Sequence, residues 1–221
     1  EELQQSIQWE AEQFIPFDIA DVYLDAQIIN ESSAQQGQMD VVLVAAKKDF
    51  VNEYTSVIVE AGLEPVVCDV DAFALQNAFE ANYTVDPTQT IVLINIGSAK
   101  TTINILANGQ SSFTRDLMIG GQQFTEEIQK HLNTSAEEAE ALKFGTSEKK
   151  DTASAREVQR ALQNVSDSVT NEVHRSIDFF SASSAAAAPA QMIVSGGSAR
   201  LGVLIQTLRA RMSIPVEVIN P

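Results

Sequence analysis

Two glycine-bearing stretches carry the residue types from which an anion site can be built. In the first, residues 88–109 (TQTIVLINIGSAKTTINILANG), an apolar, β-branched run at 91–96 passes through Gly97, Ser98, Ala99 and Lys100 into a second apolar run that starts at Thr101. A strand, a tight Gly-Ser turn and a returning strand present successive backbone N–H groups and a hydroxyl to one small anion, and glycine permits close approach. Taken alone, the stretch also reads as an ordinary β-hairpin with a polar turn, followed by an Asn108-Gly109 hairpin turn. In the second, residues 192–204 (MIVSGGSARLGVL), a short apolar strand runs into Ser195, Gly196, Gly197 and Ser198 and opens a helix with Leu201, Val203, Leu204 and Leu208 on its apolar side. A glycine pair at a strand end that opens a helix lets backbone and helix N-terminus face a nucleotide together. Neither stretch is a GxGxxG fingerprint or a GxxxxGK[ST] phosphate loop. A further pair, Glu140 and Lys143, shares a face of a predicted helix and reads as a solvated i,i+3 ion pair.

Composition narrows the function classes. With 44% hydrophobic and 20% charged residues over 221 positions, the chain reads as globular, with material for one large domain or two small ones. A net charge of −16 argues against a nucleic-acid surface, which needs a basic patch, and against direct attachment to anionic lipid. The single cysteine, Cys68, reads as a small buried hydrophobe beside Val66 and Val67, and two histidines without clustered cysteines make no zinc pattern. A reducing cytoplasm is therefore expected. Residues 179–199 are uncharged, but they are rich in Ser, Ala, Gly and Pro and do not read as a membrane span. The chain opens on Glu1 without a start methionine and is expected to be a segment of something longer.

The elements that would position these residues follow in order. Leu3, Ile7, Trp9, Phe14 and Ile15 predict a helix closed by Pro16; residues 22–29 and 40–46 predict strands around a polar loop at 30–37. Residues 49–61 predict a helix with Phe50, Tyr54, Val57, Ile58 and Ala61 on one face and Gly62 at its end, and 65–70 a third strand. This α+β unit needs a larger neighbour to cover its sheet. A helix is expected at 71–81, a boundary at Asp86-Pro87, and a strand at 110–117 before Gly120 and Gly121 open a helix carrying Phe124, Ile128 and Leu132. The helix at 135–144 begins with a capping box, Ser135 and Glu138. A polar connector at 149–154 leads to a long amphipathic helix marked by Val158, Leu162, Val165, Val169, Val173, Ile177 and Phe180. A last strand is expected at 215–219.

In order and spacing, these motifs resemble the actin-like ATPase superfamily. Within it they are similar to the type IV pilus assembly PilM family, related to FtsA of cell division. The resemblance runs over nearly the whole chain: WEAEQFIPFDIADVYLDAQII, CDVDAFALQNAF, INIGSAKTT, RDLMIGGQQFTEEIQ, EAEALKFG, VTNEVHRSIDFF and MIVSGGSARL occur in the family's order. It implies a mixed α/β fold of α+β subdomains, the actin-like ATPase fold with an inserted subdomain. Residues 1–66 would be the inserted subdomain and 67–87 the return to the first lobe. The second lobe would take its phosphate hairpin from 88–121, a helical insertion from 122–188 and its adenosine motif from 189–221.

Site roles follow from the same resemblance. Gly97, Ser98 and Thr101 would line the phosphates with Lys100 as helper, Glu140 and Lys143 would flank ribose and adenine, and Gly196, Gly197 and Ser198 would cradle the adenosine. ATP would arrive with Mg2+ held through phosphate oxygens and water. Asn95 stands where the superfamily has an acid, so weak or absent hydrolysis is implied. Nothing matches the first phosphate motif, and the C-terminal helix that returns to the first lobe is absent. The implied function is a cytoplasmic, ATP-binding scaffold, peripheral to the inner membrane. It would hold the cytoplasmic tail of a PilN-type membrane protein, communicate with the pilus motor ATPases and support twitching motility. The alternatives are an active ATP hydrolase and an FtsA-like division filament protein.

Overall fold

The computed structural model describes residues 11–30, 40–84, 86–147 and 152–220. The chain divides into two compact units, Glu1–Asp69 and Val70–Pro221. In the first unit, strands β1 (Val22–Asn30) and β2 (Asp40–Lys47) pair antiparallel. They are followed by helix α1 (Lys48–Glu60). Gly62, at φ +80°, ends α1 by letting its own N–H reach Val59 O (2.9 Å) and the Leu63 N–H reach Ile58 O (3.1 Å). Both strands and the helix are as expected. The expected helix at the N-terminus and the loop at 30–37 fall mostly outside the described residues.

Two expectations for this unit are corrected. Residues 65–70 form no strand: among the described residues, the sheet of this unit is only β1 and β2 and offers them no ladder. Without that ladder, Val66 and Val67 are 83% and 80% exposed, and Cys68 is exposed, not buried. The apolar face expected of α1 forms as a face but is uncovered: no residue of the helix is buried.

The second unit is built on a five-stranded sheet in the order β5-β4-β3-β6-β7, with β3 (Thr90–Ile96), β4 (Thr101–Ala107), β5 (Gln110–Leu117), β6 (Pro189–Ser195) and β7 (Val216–Val218). The first three strands meander antiparallel; β6 lies parallel to β3 on its other side and β7 parallel to β6. Asn108 (φ 54°) and Gly109 (φ 73°) both take the left-handed region, which a two-residue hairpin turn requires.

The continuous apolar run of β3 has its reason in the two cores it serves. Val92, Ile94 and Ile96 point to a core shared with the helices α3 (Gly121–Leu132), α4 (Ala136–Lys143), α5 (Thr152–Ser183) and α6 (Gly202–Arg211). Ile91 and Leu93 point to the other face, where Phe79 of helix α2 (Asp71–Asn82) covers them with Leu106 and Ile193. Each such aliphatic side chain taken fully out of water contributes about 1.5–3 kcal/mol. The stripe of α5 packs as expected, through Val158, Leu162, Val165, Val169, Val173 and Phe180. The connector expected at 149–154 is shorter, since the helix is already formed from Thr152; its start lies outside the described residues.

Candidate functional site

The sheet topology creates the site. From β3 the chain turns to β4 on one side and returns much later as β6 on the other, so the C-terminal ends of two parallel neighbours meet where the connections diverge. Asn95 pairs with Ser195 in the ladder. Ligands bind at such switch points because backbone from two strand ends and the following helices face one crevice. The two glycine stretches are therefore adjacent.

The Gly97–Lys100 turn closes with Gly97 N–H donating to Lys100 O (3.0 Å). Its outward carbonyls are taken by the start of α3: Gly121 N–H donates to Gly97 O and Gln122 N–H to Ser98 O, both at 2.8 Å. The Ser198 hydroxyl donates to Gly97 O at 3.3 Å. Among the described residues, the amide N–H groups of Ser98, Ala99, Gly197 and Ser198 find no protein acceptor, which leaves them to a ligand or solvent. A turn whose carbonyls are consumed and whose N–H groups are unclaimed has the chemistry of a candidate anion cradle.

Glycine is required where these segments touch. A Cβ at Gly120 would lie 2.3 Å from Ser98 O, and one at Gly121 would lie 2.6 Å from Ser198 Oγ. Gly196 sits at φ +90°, and its Cβ would come within 2.5 Å of Asn95 Oδ1 and Ile96 O. Gly197 is different: a Cβ there meets nothing within 4 Å, so this position faces open space. From the sequence, Gly120 and Gly121 read as the opening of a helix and not as part of the site. Their signal was a second glycine pair opening a helix, the same pattern singled out at Gly196 and Gly197.

Glu140 and Lys143 do not form the solvated pair that the spacing suggests. The Lys143 side chain is 5% exposed and donates to Gly121 O (3.1 Å), Thr125 Oγ1 (2.9 Å) and Glu140 Oε2 (2.6 Å). A buried ammonium needs such partners to offset its lost hydration. Thr125 also donates to Glu140 Oε2 at 2.6 Å. Burial tends to raise the Glu140 carboxyl, but hydrogen bonds from Lys143 and Thr125 prevail and hold it below its ordinary value. The last turn of α4 is fixed by Gly145 at φ +70°, with Thr146 N–H on Ala141 O (2.8 Å). Beyond it, Phe144 lies under Lys143 Nζ and the Arg200 guanidinium, 5.0 and 5.4 Å from its ring centre. Lys143 thus ties α4 to the glycines behind the anion cradle.

Three of the residues expected at the site also have protein partners. The Thr101 hydroxyl is buried and donates to Ile119 O at 2.7 Å. Lys100 Nζ lies 2.9 Å from Asp71 and 2.9 Å from Asp116. The Asn95 Oδ1 lies beneath Gly196, with the Ser195 hydroxyl 3.5 Å away. Gly97, Ser98, Gly196, Gly197 and Ser198 are brought together, and Glu140 and Lys143 join them through Gly121. Among the described residues no group of three acidic, His or Cys side chains could cage a metal. A magnesium ion would fit here only as a companion of nucleotide phosphates.

The mixed α/β fold is one shared with actin-like proteins. The fold matches that of MreB5 of Spiroplasma citri bound to ADP, with a TM-score of 0.58 at 18% identity over 79% of this chain and 61% of that one. The chain belongs to the type IV pilus assembly protein PilM family, whose model matches residues 1–221. It is similar to a chain of a PilM–PilN type IV pilus biogenesis complex, with a TM-score of 0.79 and 29% identity over all of this chain and 62% of that one. It is also 29% identical over 106 residues to the cell division protein FtsA of Bacillus subtilis (strain 168), covering 48% of this chain and 24% of FtsA. The chain thus spans less than two thirds of the length of these relatives.

Proposed function

We propose that this chain provides the nucleotide-binding second lobe of an actin-like scaffold for type IV pilus assembly, holding Mg-ATP and turning it over slowly or not at all. The observation that carries the reading is the convergence of Gly97-Ser98, Gly120-Gly121 and Gly196-Gly197 at two adjacent strand ends, with N–H groups that no protein acceptor claims. In this reading the cradle holds phosphate, Gly196 to Ser198 approach the adenosine, and Glu140 and Lys143 face the ribose and base. Thr101 and Asn95 act by shaping the turn. Residues 1–66 correspond to the family's inserted subdomain, 67–87 to the return to the first lobe, 122–188 to the helical insertion, and 88–121 with 189–221 to the second lobe.

Asn95 is an amide, which cannot accept a proton, so the residue at this position favours a binder over a hydrolase. ATP then biases shape and partner affinity by linkage, without turnover. The partner in this reading is the cytoplasmic tail of a PilN-type membrane protein. It would place the protein at the cytoplasmic side of the inner membrane, in reach of the pilus motor ATPases; no described helix is long and apolar enough to cross a bilayer.

Filter retention of radiolabelled ATP, run beside a phosphate-release assay, tests this. The expected result is intact ATP retained with phosphate release at the background rate. Retention with sustained release would assign the hydrolase reading instead, and no retention would remove the nucleotide from the account. Fluorescence anisotropy of a PilN-type tail peptide, with and without Mg-ATP, tests the partner; equal affinity in both conditions would remove the linkage.

A further inference from the structure

Helix α2 is fastened at its first turn by two ties of different kinds. One is buried: Asn104, fully inaccessible on β4, donates through Nδ2 to Ala72 O at 2.9 Å, while its Oδ1 accepts from the Ser111 hydroxyl at 2.7 Å. The other is exposed: Lys100 Nζ sits between Asp71, the first residue of α2, and Asp116 of β5. The Asp116 carboxylate also accepts from the Thr102 hydroxyl at 2.7 Å, so it has a second partner to fall back on. The Lys100, Asp71 and Asp116 side chains are 41%, 60% and 46% exposed, and ion pairs this wet are weak and exchange readily.

Lys100 also closes the anion cradle, since its carbonyl accepts the Gly97 N–H. The residue that ties down α2 therefore belongs to the turn whose Ser98 and Ala99 N–H groups have no protein acceptor. Its ammonium carries three donors on a flexible four-carbon stem, which can trade one carboxylate for another anion. The Asp71 and Asp116 hydrogen bonds hold the ammonium above its ordinary pKa.

We propose that Lys100 couples the anion cradle to helix α2: phosphate seated on the Ser98 and Ala99 amides draws the ammonium from Asp71 and loosens the first turn of the helix. The inference rests on the nucleotide reading above. The Asn104 tie keeps α2 docked throughout, so the change is confined to one turn. Reciprocally, whatever strengthens the Asp71–Lys100 pair weakens nucleotide binding by the same factor.

Hydrogen exchange of the whole chain, with and without saturating Mg-ATP and with calorimetry on the same samples, tests the coupling. The reporters are the Phe73 and Ala74 amides, which donate to Val70 O at 2.8 and 2.9 Å. Mg-ATP is expected to speed their exchange by up to about fivefold, the upper limit for an exposed ion pair, while Ile103 and Ile105 on β4 stay unchanged. Lys100→Met should show the faster exchange without nucleotide and no further rise with it. Asp71→Asn should bind Mg-ATP more tightly by a similar factor. Measured heat of binding with unchanged Phe73 and Ala74 exchange would overturn the coupling and leave the nucleotide reading intact. No heat in the wild type would overturn both.

Discussion

Helix α3 buries Phe124 and Ile128 completely, whereas helix α1 leaves Phe50, Tyr54 and Val57 59%, 63% and 61% exposed. Both helices carry apolar residues at helical spacing, so periodicity does not separate them. What separates them is the surface opposite. Helix α3 faces the long stripe of α5 and one face of a five-stranded sheet, while α1 follows a two-stranded sheet and has no fully buried side chain. Amphipathic spacing says which face of a helix is apolar; the rest of the fold decides whether that face is energetically used.

That difference can be broken most sharply by truncation. Phe124→Ala should cost about 3–5 kcal/mol, from lost transfer energy plus the cavity left behind, and lower the melting temperature of the Val70–Pro221 unit. Phe50→Ala should stay within about 0.5 kcal/mol, because its ring is mostly in water beside Tyr54. Comparable losses in thermal melts of the two variants would mean that the α1 face is covered after all.

Two glycines sharpen the same contrast. Gly196 and Gly62 both have positive φ, +90° and +80°, but only Gly196 has backbone where a Cβ would sit. Gly62→Ala should cost about 1–2 kcal/mol, the strain of a left-handed alanine. Gly196→Ala should cost more, because the strand end must also shift, and it should disturb the cradle. Equal penalties in denaturant unfolding would argue against close packing of the β3 and β6 ends.

A smaller effect is expected from acid. The folded Glu140 carboxyl lies below its ordinary value, so its ion pair with Lys143 stabilises the protein above the unfolded pKa near 4.5 and that contribution disappears as pH falls through the folded value. Replacing it in Glu140→Gln should flatten the decline of melting temperature between about pH 5 and pH 3. Half the Glu140 side chain is exposed, so the change should be modest. An unchanged slope would show that the pair is not made in solution.

Most of the second unit was legible in the residue pattern: β3 as a strand buried on both faces, the Asn108-Gly109 turn, the Ser135 cap and the stripe of α5. These are local signals that the fold endorses. The errors came where burial depends on distant partners. Residues 65–70 have strand composition but no ladder, and Cys68 follows them into solvent. Lys143 reads as a surface lysine at i+3 from an acid, yet Gly121 and Thr125, far off in sequence, bury it. Each glycine turn was visible, but the adjacency of Gly97 and Gly196 is a property of strand order that no local window contains.

The most direct test of the account is calorimetric titration of Mg-ATP into the wild-type chain and Gly197→Trp. Gly197 faces open space, so the indole should fill the cradle without touching the core, and the two proteins should melt alike. The account predicts a binding heat for the wild type that is lost in the variant. Equal heats in both, or none in the wild type, would contradict a nucleotide site at the β3 and β6 strand ends.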